Sequence, residues 1–254
     1  MKGLRVLPTA VEAVEAAAAV WAEAAHEAVR ARGVFRIALS GGRAAKSVFF
    51  MLSKPVYADL PWKQTEFFWG DERYAPHTHA ESNFRSARDL LFDLVGALPD
   101  RIHSMPTGGT APIQDAANYE SSLRAHFGSD LDPAGFPVLD FALQGLGDDG
   151  HTASLFPGHP AVMEKERWVV AARAPGGAAV RDRITLTAPV LRRARRIVFL
   201  IAGEDKAAAV REFLAGDSSP ESCPAKLLVP VSGERTVILD QAAASLLKTV
   251  IPGG

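Results

Sequence analysis

Apolar residues recur along this chain in two periods, and the change from one to the other outlines its elements. Val11, Val14, Ala18, Trp21, Ala25 and Val29 fall at helical spacing, so residues 9–33 are predicted to form a long helix with one apolar stripe. Thr9 and Glu12 give a capping-box pattern at its start, and Gly33 gives the stop. A compact β-prone run from Phe35 to Leu39 follows and passes through Ser40-Gly41-Gly42 into a helical segment ending near Ser53. The rhythm then repeats. Strands are predicted at 66–69, 138–144, 168–172, 184–187, 197–202 and 237–239, with helices at 84–95, 115–128, 204–215 and 241–249.

Strands that are apolar almost throughout belong in a sheet covered on both faces, and amphipathic helices between them make that sheet mostly parallel. The expected fold class is α/β, a single-domain three-layer αβα sandwich over residues 1–254 with a mostly parallel, Rossmann-like sheet. The loop-like stretches at Gly108-Gly109 and 173–182 are too short to force a domain boundary.

Composition narrows the function classes. With 48% hydrophobic and 22% charged residues and a mean hydropathy of +0.04, the chain is globular in type. Its 28 basic and 29 acidic residues give a net charge of −1, which offers no global attraction to nucleic acid or to an anionic membrane. Cys223 is the only cysteine, so an intrachain disulfide and a cysteine zinc cage are both excluded. Glu12, Glu15, Glu23 and Glu27 interrupt the Ala-rich N-terminal stretch, unlike a secretory signal, and a cytoplasmic protein is expected.

In doubly wound sheets, ligands bind where strands end and the chain turns toward a helix. Three such junctions carry unusual residues. Ser40-Gly41-Gly42-Arg43 lets backbone N–H groups at a helix start approach an anion, with Arg43 adding charge; it also reads as a simple tight turn. It nearly matches a hydrolase nucleophile elbow, yet no histidine follows His159, where that fold places its base. Trp69-Gly-Asp-Glu-Arg73 reads either as a surface ion-pair cluster or as an anion site. In the second reading Arg73 is the ligand and Asp71 or Glu72 orients the substrate. Ser82-Asn83 reads as the cap of the next helix.

The third junction spells G-x-G-x-x-G at Gly145, Gly147 and Gly150, but it fails as a dinucleotide fingerprint. Asp148 and Asp149 would face the pyrophosphate, and Pro157, Gly158 and Pro160 cut short the helix it needs. What remains is a glycine-rich loop presenting Asp149 and His151. This is either a loop histidine or a base whose tautomer a carboxylate fixes. Adjacent residues rarely converge on one ion, so no metal is expected, and His77 and His79 read as solvated loop residues.

Taken in order, several stretches resemble the glucosamine-6-phosphate isomerase/6-phosphogluconolactonase family, and its lactonase branch in particular. They are Leu39 to Gly42, Trp69 to Arg73 with Ser82-Asn83, Gly145 to Pro157, Arg183 to Thr187 and Gly203 to Lys206. The resemblance implies hydrolysis of 6-phospho-D-glucono-1,5-lactone to 6-phosphogluconate in the pentose phosphate pathway, without cofactor or metal. It makes His151 the general base and Asp149 its orienting carboxylate. It places the phosphate near Ser40, Gly41 and Gly42, with Arg73 and Lys206 supplying charge.

Two departures stand out: Arg43-Ala44-Ala45 replaces the family's small and hydroxyl residues, and Arg192 stands where Asn is common. The enzymatic alternative is a glucosamine-6-phosphate deaminase, but that group carries a further carboxylate where this chain has Phe156. A sugar-phosphate sensor without turnover is the non-enzymatic alternative. The partner expected is the small sugar-phosphate lactone, with no nucleic acid and no membrane, and the protein is expected to be a monomer or weak homo-oligomer.

Overall fold

The computed structural model describes residues 3–109 and 111–247. Among the described residues, nine strands are distributed over two sheets. The central sheet has six parallel strands in the order β1-β9-β8-β5-β2-β3, namely β1 (Leu4–Leu7), β2 (Phe35–Leu39), β3 (Thr65–Trp69), β5 (Phe141–Gln144), β8 (Arg196–Ile201) and β9 (Glu234–Asp240). The other three form an antiparallel sheet in the order β4-β7-β6, with β4 at Asp71–Arg73, β6 at Val169–Arg173 and β7 at Asp182–Leu186. The mostly parallel central sheet is as expected. The strands at 168–172 and 184–187 lie outside it, because they pair antiparallel with each other.

The first helix, α1 (Ala10–Arg32), starts and stops where its sequence says. Thr9 Oγ1 accepts from Glu12 N, and Gly33 closes the helix at φ 75° with its N–H on Val29 O. Its buried face is mostly alanine around Trp21, which lets the helix lie close to the sheet; Trp21 meets Phe35 and Phe141 there. Val11, placed in the stripe by its spacing, is 62% exposed.

The remaining helices are α2 (Gly42–Leu52), α3 (Asn83–Ala87), α4 (Asp93–Val95), α5 (Pro112–Phe127), α6 (Ala188–Leu191) and α7 (Ala207–Ala215). The expected helix at 84–95 is broken into α3, a π-helical turn at Arg88–Phe92, and α4. Residues 241–247 form turns rather than the expected helix: Asp240 Oδ1 accepts from Ala243 N and ties the segment back to the strand end. Residues 248 and 249 lie outside the described residues. No helix among the described residues is long and apolar enough to cross a membrane.

The order of the parallel strands positions the site. From β2 the chain crosses to β3 on one side, while β5 and β8 lie on the other. The crevice at this reversal opens between the loops after β2 and β5, where doubly wound sheets take their ligands.

Candidate active site

Ser40 to Arg43 leave β2, Gly70 leads from β3 into β4, Gly145 to His151 leave β5, and Lys206 follows β8. All four strands are parallel neighbours, so these segments converge on one side of the sheet. They enclose a cavity of about 490 Å³ lined by Ser40, Gly41, Gly42, Arg43, Asp71, Arg73, His151 and Lys206. Its far wall comes from the small sheet and from the loop at Ala174 to Ala178.

His151 is held by its own loop. Gly150 N–H bonds to Gly147 O (3.0 Å) and Gly147 N–H to His151 O (2.8 Å), closing a turn with Asp148 and Asp149 at its corner. Asp149 Oδ1 lies 2.5 Å from His151 Nδ1 and accepts the His151 backbone N–H at 3.1 Å. Burial pushes the Asp149 carboxyl up, but its hydrogen bond with His151 and that ring's charge outweigh this and hold it below its ordinary value.

The ring packs on Phe156, with centroids 4.9 Å apart, and on the backbone of Gly147. A Cβ at Gly147 would fall 2.0 Å from His151 Nδ1, so only glycine permits this approach. Below the loop, Gly150 adopts φ +82° against buried Cys223, and Gly150 O accepts from Ala225 N. Cys223 is thus a packing residue under the histidine loop.

The charged triplet after Trp69, expected only as a junction at a strand end, is itself the strand β4. Alternation along it separates the roles of its residues. Asp71 and Arg73 line the cavity, and Asp71 Oδ2 accepts from the buried Ser154 hydroxyl at 2.6 Å. Glu72 faces away and accepts from Asn83 N and Phe84 N, each at 2.7 Å, and from Ser82 Oγ. It therefore anchors the start of α3, and burial pushes its carboxyl up. Ser82 caps that helix as expected. Asn83 in turn donates to Asp71 O and sits where a Cβ on Gly41 would be, 1.9 Å from its Oδ1. Gly41 is the N-cap of α2 and gives no side-chain cap, so the first turn's N–H groups face the cavity side without one.

The cations fall into two kinds. Arg43 pairs with Asp205, and Lys206 with Asp148, at the mouth. Arg73 and Arg183 instead donate to backbone carbonyls, Arg73 to Glu81 O and Arg183 to Val180 O and Asp182 O. Among the described residues neither of these two has a carboxylate within ion-pair distance. They occupy facing positions on the β4–β7 ladder. Burial and the neighbouring Arg73 charge lower the Arg183 pKa.

The sequence marks Arg183 only as the start of the stretch Arg183 to Thr187 and gives it no site role. The predicted strand began one position later, although an Arg leading an inward-facing Thr185 was a usable signal. His77, read as solvated, stacks on Phe84 at 4.4 Å and reaches Met105 O. Ser40 Oγ bonds only weakly, to Gly41 O at 3.5 Å, and among the described residues no hydroxyl pairs with His151.

One set of metal-type side chains lies elsewhere, at Glu66, His103 and His126 near the opposite end of β3. Glu66 is already paired with Arg36 and Arg101, so a cation there would meet two guanidinium charges.

Residues 8–238 match the family described as Glucosamine-6-phosphate isomerases/6-phosphogluconolactonase. The chain belongs to this family. A 6-phosphogluconolactonase of Synechocystis sp. is 40% identical over 222 residues, 87% of this chain and 88% of that one. One of Nostoc sp. is 36% identical over 220 residues, with coverage of 87% and 88%. The solved structure of a 6-phosphogluconolactonase from Trypanosoma cruzi superimposes with a TM-score of 0.86 at 29% identity, covering 97% of each chain. The apolar ring of Phe156 rests against His151.

Proposed function

We propose that this protein hydrolyses 6-phospho-D-glucono-1,5-lactone to 6-phosphogluconate in the pentose phosphate pathway, with water activated by His151. The observation that carries the reading is the Asp149–His151 pair at the rim of a cavity whose walls hold Arg43, Arg73, Arg183 and Lys206. With Nδ1 engaged by Asp149, Nε2 is the nitrogen left to take a proton. As the water oxygen bonds to the lactone carbonyl carbon, Nε2 accepts one of its protons. The tetrahedral oxyanion then collapses and the ring C–O bond breaks. The departing oxygen takes the proton back from His151 and becomes a hydroxyl, so the base is regenerated.

A base placed in this way contributes about 10²- to 10⁴-fold. The phosphate, remote from the reacting carbon, supplies orientation through the glycine loop and the cations, with Asp71 lining the same wall. Phe156 favours the lactonase over the deaminase, whose ring opening calls for another acid. The reading also takes the chain as one domain, supported by a single apolar core that includes residues of both sheets. It takes the protein as cytoplasmic, a monomer or weak homo-oligomer, acting on a diffusible lactone with no cofactor, metal or nucleic acid.

The test is hydrolysis of freshly generated lactone with the spontaneous rate subtracted. His151→Ala is expected to lose at least about 100-fold in kcat while still binding 6-phosphogluconate. Near wild-type turnover in that variant would overturn the assignment of the base.

A further inference from the structure

The turn between Gly147 and Gly150 carries two adjacent carboxylates that diverge. Asp149 goes to His151, and Asp148 reaches across the mouth to Lys206. Lys206 is a wall residue with its side chain 21% exposed, whereas the Asp148 side chain is 76% exposed. A carboxylate arriving from solvent thus occupies a cation that faces the cavity. An ion pair whose carboxylate lies this far in solvent is screened and weak, so a stronger anion can displace it. A phosphate dianion brings more charge and more acceptor oxygens than a carboxylate. Arg73 and Arg183 have no ion-paired carboxylate to give up, so among these cations the exchange concerns the mouth alone.

We propose that Asp148 is an exchangeable counter-ion, an affinity-setting residue that holds Lys206 when the pocket is empty and surrenders it to the ligand's phosphate. The proposal deepens the lactonase reading, from which it takes only that a phosphate enters this cavity. A ligand whose phosphate takes Lys206 breaks the Asp148–Lys206 pair. Asp148 therefore weakens substrate, product and free phosphate alike, and it keeps the site from filling with small anions that lack the sugar contacts.

The experiment is titration of inorganic phosphate into the purified protein, followed by calorimetry, which needs no turnover. Asp148→Asn is expected to bind phosphate two- to fivefold more tightly than wild type, the range that an exposed pair allows. In a Lys206→Ala background the same change is expected to have no effect, because the group it competes for is gone. Unchanged phosphate affinity in Asp148→Asn, or an equal gain with and without Lys206, would overturn the proposal. Absent lactonase activity beside a Lys206-dependent gain would instead overturn the proposed function and leave the counter-ion standing.

Discussion

At the amino edge of the central sheet, Arg36 of β2 lies beside Glu66 of β3. That carboxylate also receives Arg101 at 2.9 Å and His126 at 3.2 Å. Asp140, just before β5, holds Arg32 and the backbone N–H of Arg36, and Arg196 at the start of β8 meets Glu23, Glu27 and Glu234. At the carboxyl edge the same residue types are left with weak or partial partners: carbonyl oxygens for Arg73 and Arg183, single exposed carboxylates for Arg43 and Lys206. Both edges hold histidine beside a carboxylate. What separates structure from chemistry is how the carboxylate is shared. Glu66 is divided among Arg36, Arg101 and His126, whereas Asp149 is turned to His151.

Variants at the two edges should therefore fail in opposite ways. The largest effect is expected from Gly147→Ala, whose Cβ would occupy the place of the His151 ring. Displacing a base by about 1 Å costs on the order of 100-fold in kcat, while the melting temperature should change little because the ring can swing outward. Loss of folding instead would show that the loop is structural, as the amino edge is.

Glu66→Gln should do the reverse, lowering unfolding free energy by roughly 2–4 kcal/mol in urea at pH 7 while the folded protein keeps its activity. Burial pushes the Glu66 carboxyl up, but the His126 and Arg36 bonds and charges outweigh this and hold it at about 2, against an ordinary 4.5. Its stabilisation is therefore complete above pH 4.5 and is lost as the pH falls toward 2. The gap between wild type and Glu66→Gln should narrow at pH 3. A gap that widens there would contradict the assignment. The smallest effect is expected from Arg43→Ala at the exposed mouth, with a rise in KM below about fivefold in the lactonase assay. A larger rise would place Arg43 with Arg73 and Arg183.

The sequence made the carboxyl edge easier to read than the amino edge. Strands β2, β3, β5 and β8 are apolar because both faces are covered, and glycines mark the turns that follow. β4 escaped notice because three charged residues form a strand only through pairing with β7, and local pattern does not record a distant partner. The same blindness hid the antiparallel pairing of β6 with β7, and with it Arg183. β1 is a four-residue edge strand with two exposed positions, too short to show a period. Asp149 was legible as the partner of His151, but the pairing of Asp148 with Lys206 was not, since the turn decides which way that side chain points.

The β4–β7 ladder sets Arg73 directly opposite Arg183. Like charges at facing positions repel, at a cost of some tenths of a kilocalorie up to about 1 kcal/mol. On the proposed lactonase reading, an anion lodged between the two would turn that repulsion into a bridge and complete the small sheet as a rivet completes a joint. This corner would then be firmest while occupied and loosest after each product departure.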